Sequence, residues 1–229
     1  THVFESGWIG QGPVVSDFEA RLMGFLGSPV VTTNSCTSAL HLAFHEIAKT
    51  CHTVITTPLT CFATTAAILH AGLKIKWADV DPKTLNIADG EVQKLYEPGD
   101  AVCVVHFAGR PCPLPLDLDV PIVEDCAHAF GSTGVGTNPK RYGCFSFQAV
   151  KTLTCGDGGC LMPPPQELNH FKRMTWYGID RRFHRDQIIS EAGFKYHMND
   201  ITAAIGVANW TNALDALIKQ KENSEYYSK

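Results

Sequence analysis

An α/β fold, with a mainly parallel seven-stranded sheet flanked by helices, is what the sequence predicts. Three observations lead there. Short β-branched runs alternate with helical patterns, the sign of a parallel sheet covered on both faces. The 229 residues suffice for one large core, and a composition 45% hydrophobic and 18% charged excludes disorder. No internal repeat or low-complexity segment interrupts the alternation.

In chain order, a helix is expected over Val14–Leu26, then a strand over Val30–Thr33. Asn34 or Ser35 can cap the next helix, Thr37–Lys49, whose apolar stripe is Leu40, Phe44 and Ile47. Strands at Thr53–Thr57 and Leu73–Ala78 enclose a helix at Phe62–His70, and a short helix at Gly90–Leu95 precedes a strand at Ala101–Phe107. Further strands are expected at Pro121–Glu124, Tyr142–Gln148 and Gly159–Met162, and helices at Pro165–Tyr177 and Asn199–Lys221. Pro111–Pro115 and Pro163–Pro165 punctuate elements and are too short to be linkers.

Charge and cysteine usage narrow the function. Nineteen basic against 23 acidic residues, a net charge of -4, give no electrostatic footprint for nucleic acid or an anionic membrane. Nine cysteines, an odd number at irregular spacing with no CxxC pair, read as reduced thiols. Cys103 with His106, or Cys126 with His128, imitates metal spacing, but these residues lie in apolar, strand-like runs, and no metal site is expected. There is no leader pattern at the N-terminus and no apolar run of about 20 residues, so the expected compartment is the cytoplasm. The chain starts at Thr1 rather than Met, so an N-terminal piece is expected to be missing or processed.

Three loops carry the chemistry. After the first strand, the free amides of a helix N-terminus, with the hydroxyls of Thr37 and Ser38, can hold a phosphate; the same residues also suit an ordinary capped helix. In PIVEDCAHAFGS, Glu124 and Asp125 follow an apolar strand at the edge where open parallel sheets bind ligands, or else one of them caps a helix. In FSFQAVKTLTCGDGG, Lys151 ends a strand and precedes a Gly-rich stretch, a placement suited to an imine-forming amine and equally to a surface lysine. A phosphate cup, then an Asp, then a Lys, each after a strand, is the set pyridoxal phosphate enzymes need.

These stretches resemble the DegT/DnrJ/EryC1/StrS family of sugar aminotransferases. The resemblance rests on GWIGQGPVVSDFE, NSCTSALHLA, TPLTCFATTAAILHAG, WADVDPKTLNI, VHFAG, IVEDCAHAFGS, FSFQAVKTLTCGDGG and GFKYHMNDITAAIG, which span nearly the whole chain in the family's order. It implies the large domain of a fold type I aminotransferase, with Lys151 as the Schiff-base lysine and Asp125 as partner of the pyridine nitrogen of pyridoxal 5'-phosphate. By the same resemblance, His128 meets the ring-hydroxyl region, while Thr37, Ser38 and Ser146 hold the phosphate. Cys61 stands where many members place an aromatic that stacks on the ring, with Phe62 next to it, and Cys36 replaces the usual Gly of a GT pair. Lys195 stands where many members carry an Asn that reaches the phosphate of the neighbouring protomer; a Lys can serve there as a point charge.

The implied reaction moves an amino group from glutamate to a nucleotide-linked keto sugar, in amino-sugar or polysaccharide biosynthesis. His128 resembles members acting at C4 rather than the Gln-bearing ones acting at C3. Trp8, Ile9 and Gln11 are implied to line the sugar side, whereas Gly10 and Gly12 equally suit the turn into the first helix. Lys151 argues against the pyridoxamine-dependent sugar dehydratases, which carry His there; a non-catalytic cofactor-binding protein of the same fold is the other alternative. A homodimer with shared sites is implied, and the stripe Ile201, Ala204, Ile205 and Ala208 suits either that interface or ordinary core. Members are longer than 229 residues, so residues 1–229 are expected to form the large cofactor-binding domain without the usual small C-terminal one.

Overall fold

The computed structural model describes residues 2–113, 119–136, 141–182 and 187–227. A short helix, α1 (His2–Ser6), precedes α2 (Pro13–Leu26), which Pro13 opens and the left-handed Gly27 closes. There follow β1 (Val31–Thr33), α3 (Cys36–Ile47), β2 (Thr53–Thr56), α4 (Phe62–His70), β3 (Lys74–Trp77), α5 (Glu91–Leu95) and β4 (Asp100–Val105). The chain continues through β5 (Ile122–Asp125), β6 (Tyr142–Ser146), β7 (Gly159–Met162), α6 (Leu168–Met174) and α7 (Asp200–Tyr227).

The strands form one sheet in the order β1-β7-β6-β5-β4-β2-β3. β6, β5, β4, β2 and β3 pair in parallel, and β7 runs antiparallel to both of its neighbours. The predicted mainly parallel seven-stranded sheet is therefore present. Alternate residues of the strands enter different cores. On one face Leu40, Phe44 and Ile47 of α3 pack with Ala67 and Ile68 of α4 over Val54, Cys103, Val123, Cys144 and Leu161. On the other, Phe18 and Leu22 of α2 and Ala203 and Ala213 of α7 pack over Phe145, Phe147, Cys160 and Met162. Each of the fully buried Phe and Leu side chains contributes about 1.5–3 kcal/mol through removal from water.

Several boundaries differ from expectation. β6 stops at Ser146 because Phe147 turns back to accept from Cys155 N–H and donates to Gly158 O, leaving Gln148 in the turn. The helix expected over Pro165–Tyr177 is a 3-10 turn, Pro165–Glu167, followed by α6, and Tyr177 has φ 57, which ends any helix. The last helix runs on to Tyr227, and α1 was not expected. Residues 114 and 115 of the first Pro-rich stretch lie outside the described residues.

One buried carboxylate ties the ends of the chain together. Asp200, 1% exposed at the start of α7, accepts from the backbone N–H groups of Gly12 (2.7 Å), Val14 (3.1 Å) and Val15 (3.0 Å). It thus caps α2 from a distance. A Cβ on Gly12 would lie 2.0 Å from Trp8 Nε1 and 2.8 Å from Asp200 Oδ2, so the glycine of GWIGQGP is required by close approach. No helix among the described residues is long and apolar enough to cross a membrane.

Candidate active site

The C-terminal ends of the parallel strands, where open α/β sheets leave a crevice, hold a cavity of about 250 Å3. Its walls bring together Thr37, Cys61, Asp125, His128, Ser146 and Lys151. Thus six of the eight residues that the resemblance places at the cofactor meet in one cleft, from four separate stretches of the chain.

The cup begins at α3. Ser35 is the N-cap, and its Oγ accepts from Ser38 N–H (3.1 Å). The amides of Cys36 and Thr37 come before the first intrahelical bond and have no intrahelical acceptor. Gly159 lets them approach the sheet: a Cβ there would stand 2.5 Å from Cys36 N and 2.7 Å from Phe145 O. Ser38 itself is turned inward. Its hydroxyl donates to Asn34 Oδ1 (2.6 Å), and Ser38 does not line the cavity.

The two acids of β5 separate by strand alternation. Asp125, 5% exposed, faces the cleft. Its Oδ1 accepts from Ala127 N–H (3.0 Å) and its Oδ2 from the Thr64 hydroxyl (2.7 Å). Glu124, 1% exposed, points to the opposite face, where Oε2 meets His106 Nε2 (3.0 Å) and Gly136 N–H (2.8 Å). Because Cys112 N–H donates to His106 Nδ1 (2.9 Å), the imidazole proton sits on Nε2 and points at Glu124. Glu124 is therefore an internal brace, and the site expectation attached to it does not hold. Candidate ligand atoms of His106, Glu124 and Cys126 lie within 4.8 Å of one another, but both imidazole nitrogens and Glu124 Oε2 already take part in these bonds.

Lys151 lies in the turn after β6, its amide donating to Gln148 O (2.9 Å). It also borders, with His128, a second opening of about 370 Å3 walled by Ala108, Val150, Thr152 and Gln220. Burial, and then the Lys151 charge, hold the His128 imidazole below its ordinary pKa. Buried thiols surround Asp125: burial pushes Cys36, Cys103, Cys126 and Cys144 well above the ordinary thiol value, reinforced by Asp125 at Cys36 and Cys103 and by Glu124 and then Asp125 at Cys126, so all four are neutral. All nine cysteines are free, and only Cys61 is exposed.

Cys61 is the N-cap of α4 and lines the cleft, whereas Phe62 is 75% exposed and does not. The aromatic in the wall is Phe107, in edge contact with His128 at 6.2 Å between centroids. Lys195 lies outside this chain's own cleft. Its Nζ stands 3.3 Å from the Trp176 ring centroid, and Arg181 approaches the same ring at 4.9 Å. Sequence reasoning missed Thr60, Thr64, Phe107, Gln148 and Asp157, which also line the cleft. The Thr60/Thr64 spacing of four, across the first turn of α4, was the available signal for two of them.

Comparison with known proteins agrees with this geometry. The sequence pattern of the DegT/DnrJ/EryC1/StrS aminotransferase family matches residues 1–229. The chain is 34% identical over 251 residues to the spore coat polysaccharide biosynthesis protein SpsC of Bacillus subtilis, covering 97% of this chain and 62% of that one. It is 31% identical over 236 residues to the UDP-4-amino-4,6-dideoxy-N-acetyl-beta-L-altrosamine transaminase of Campylobacter jejuni, covering 95% and 62%. The sugar aminotransferase CalS13 of Micromonospora echinospora superimposes with a TM-score of 0.87 at 33% identity, covering 99% of this chain and 68% of that one. The chain spans 62 to 64% of the length of the curated relatives it matches.

Proposed function

Because the chain belongs to the DegT/DnrJ/EryC1/StrS family of sugar aminotransferases, we propose that it moves an amino group from glutamate to C4 of a nucleotide-linked keto sugar, for amino-sugar or polysaccharide biosynthesis. One observation carries this reading: Lys151 and Asp125, from the ends of adjacent parallel strands, line one cleft with the N-terminus of α3. Residues 1–229 would supply the large, cofactor-binding part of the enzyme.

The residues fit pyridoxal phosphate, which family members bind. The first-turn amides of α3, with the hydroxyls of Thr37 and Ser146, suit a phosphate. Asp125, held by two fixed donors, suits a protonated ring nitrogen, and Lys151 suits the covalent link. When bound, the cofactor supplies the electron sink that acidifies the donor's α-carbon. Lys151 Nζ would carry that proton from the donor's α-carbon to C4′ of the cofactor, and would run the same transfer in reverse in the second half-reaction. His128 stays neutral beside Lys151, so it can hydrogen-bond the ring hydroxyl without adding positive charge. The opening past Thr152 and Gln220 gives both substrates a route to Lys151. The Thr152 hydroxyl and the Gln220 amide on its wall suit sugar hydroxyls.

The glutamate donor and the C4 position rest on the family resemblance, C4 through His128 in particular. A homodimer is part of the same reading, with Lys195 of each protomer completing its partner's phosphate cup. An apolar groove between α1 and α7, lined by Val3, Phe4, Ile201, Ala204 and Ile205, supports it, because the stripe on α7 is not spent on the core.

Borohydride reduction in the presence of pyridoxal phosphate, followed by peptide mass spectrometry, should put the label on Lys151. Lys151→Ala should lose the label and all turnover in a screen of nucleotide-linked keto sugars with glutamate. A label on another lysine, or wild-type transamination by Lys151→Ala, overturns the assignment.

A further inference from the structure

Asp125 is held from α4 by a chain of two hydroxyls that the reading above does not use. Thr64 is fully buried, and its Oγ1 lies 2.7 Å from Asp125 Oδ2; Thr60 Oγ1 lies 2.8 Å from Thr64 Oγ1. Proton counting fixes the direction. A hydroxyl has one proton, and Thr64 donates its own to Asp125 Oδ2. Thr60 must therefore donate to Thr64, and Thr64 to Asp125. The second carboxylate oxygen is fixed separately by Ala127 N–H at 3.0 Å. With one donor on each oxygen, both the plane and the tilt of the carboxylate are set before any ligand arrives.

Among the described residues, Thr64 is the side chain that donates to Asp125. The thiols near Asp125 are Cys36, Cys103, Cys126 and Cys144, all neutral and at most weak donors. Nor is the first turn of α4 held by a side-chain cap at Cys61; the Thr60–Thr64 link braces this helix start, and the Thr64–Asp125 bond joins it to the end of β5.

We propose that Thr64 is a positioning residue for the cofactor, aiming the Asp125 carboxylate at the ring nitrogen, and that Thr60 orients Thr64. This rests on the functional reading above. It adds that the aim of Asp125 is set by a polarised hydroxyl chain from α4, and that Thr64 is tuned by hydrogen bonding rather than by packing.

The test uses Thr64→Val, which keeps the shape and loses the donor, Thr64→Ser, which keeps the donor, and Thr60→Val, which cuts only the outer link. Each is titrated with pyridoxal phosphate, and the absorbance and circular dichroism of the bound cofactor are followed against pH. Thr64→Val should bind about tenfold more weakly, the scale of one hydrogen bond to a charged group. It should also shift the pH at which the bound absorbance changes by about 0.5 unit or more. Thr64→Ser should stay within about twofold of wild type, and Thr60→Val should lose about threefold. If Thr64→Val does not fold, the other two decide: wild-type affinity and pH profile in Thr60→Val, or a folded Thr64→Ser that binds about tenfold more weakly than wild type, overturns the inference. Wild-type affinity and pH profile in both valine variants overturn the inference, as does a Thr64→Ser variant that folds but is as impaired as Thr64→Val. If wild type itself gives no borohydride-trapped label on Lys151, the functional reading fails, and this inference with it.

Discussion

Glu124 and Asp125 are neighbours on β5, both almost fully buried, yet their carboxylates belong to two different kinds of structure. Glu124 is sealed: His106 and Gly136 saturate one oxygen, and Arg141 approaches the other at 4.0 Å. Asp125 has one protein donor on each oxygen and a cavity in front of it. A closed polar group serves the fold, since its removal strands buried partners. An open one keeps acceptor capacity for something that is not protein.

Glu124→Ala should have the largest effect, because it leaves the His106 and Gly136 donors buried and unpaired. A loss of about 3–5 kcal/mol is expected, read by urea unfolding. Asp125→Ala, beside a cavity that admits water, should cost only about 1–2 kcal/mol while weakening pyridoxal phosphate binding at least about tenfold. The folded fraction of Glu124→Ala should bind the cofactor within a few-fold of wild type. If Asp125→Ala proves the less stable of the two, the division between closed and open groups is wrong.

Asp200 sharpens the comparison, as a second closed carboxylate far along the chain from Glu124. Removing it exposes the amides of Gly12, Val14 and Val15 together and uncaps α2. Asp200→Ala should therefore cost about 2–3 kcal/mol, with Asp200→Asn recovering part of it. Equal stability of Asp200→Ala and wild type in the same unfolding measurement would show that water takes over the three donors.

The division between these groups was only partly legible in the sequence. Strand and helix alternation was readable because each β-branched run is bounded by polar or Gly-rich residues, and order along the chain brought Thr37, Asp125 and Lys151 into one hypothesis. Glu124 and Asp125 could not be separated, because β5 is covered on both faces and shows no polar alternation to mark its outer side. The inward turn of the Ser38 hydroxyl depends on Asn34, and the Thr64 bond joins residues 61 apart, so neither has a local pattern. The helix expected through Tyr177 failed for a local reason: φ 57 at that residue is imposed by the backbone bonds Tyr177 N–H to Phe194 O and Gly178 N–H to Arg173 O.

His197 offers the smallest effect and the finest test, because it is an open group with no cavity assigned to it. Its ring meets Trp176 edge-on at 4.1 Å, and its buried Nδ1 has no hydrogen-bond partner among the described residues. Burial, and then the charges of Lys195 and Arg181, push its pKa down to about 4. The folded protein thus keeps the imidazole neutral where the unfolded chain, titrating near about 6.5, already binds a proton. Stability contributed at this position is complete above pH about 6.5 and is lost as pH falls toward about 4. His197→Phe removes the titration and keeps an aromatic edge on Trp176. Its thermal midpoint should match wild type at pH 7 and exceed it at pH 5, with the shared acid dependence of the other groups cancelling in the difference. Parallel pH curves for the two proteins would mean that Nδ1 finds a partner in solution, and that an unpaired nitrogen beside two cations is not a sign of an open group.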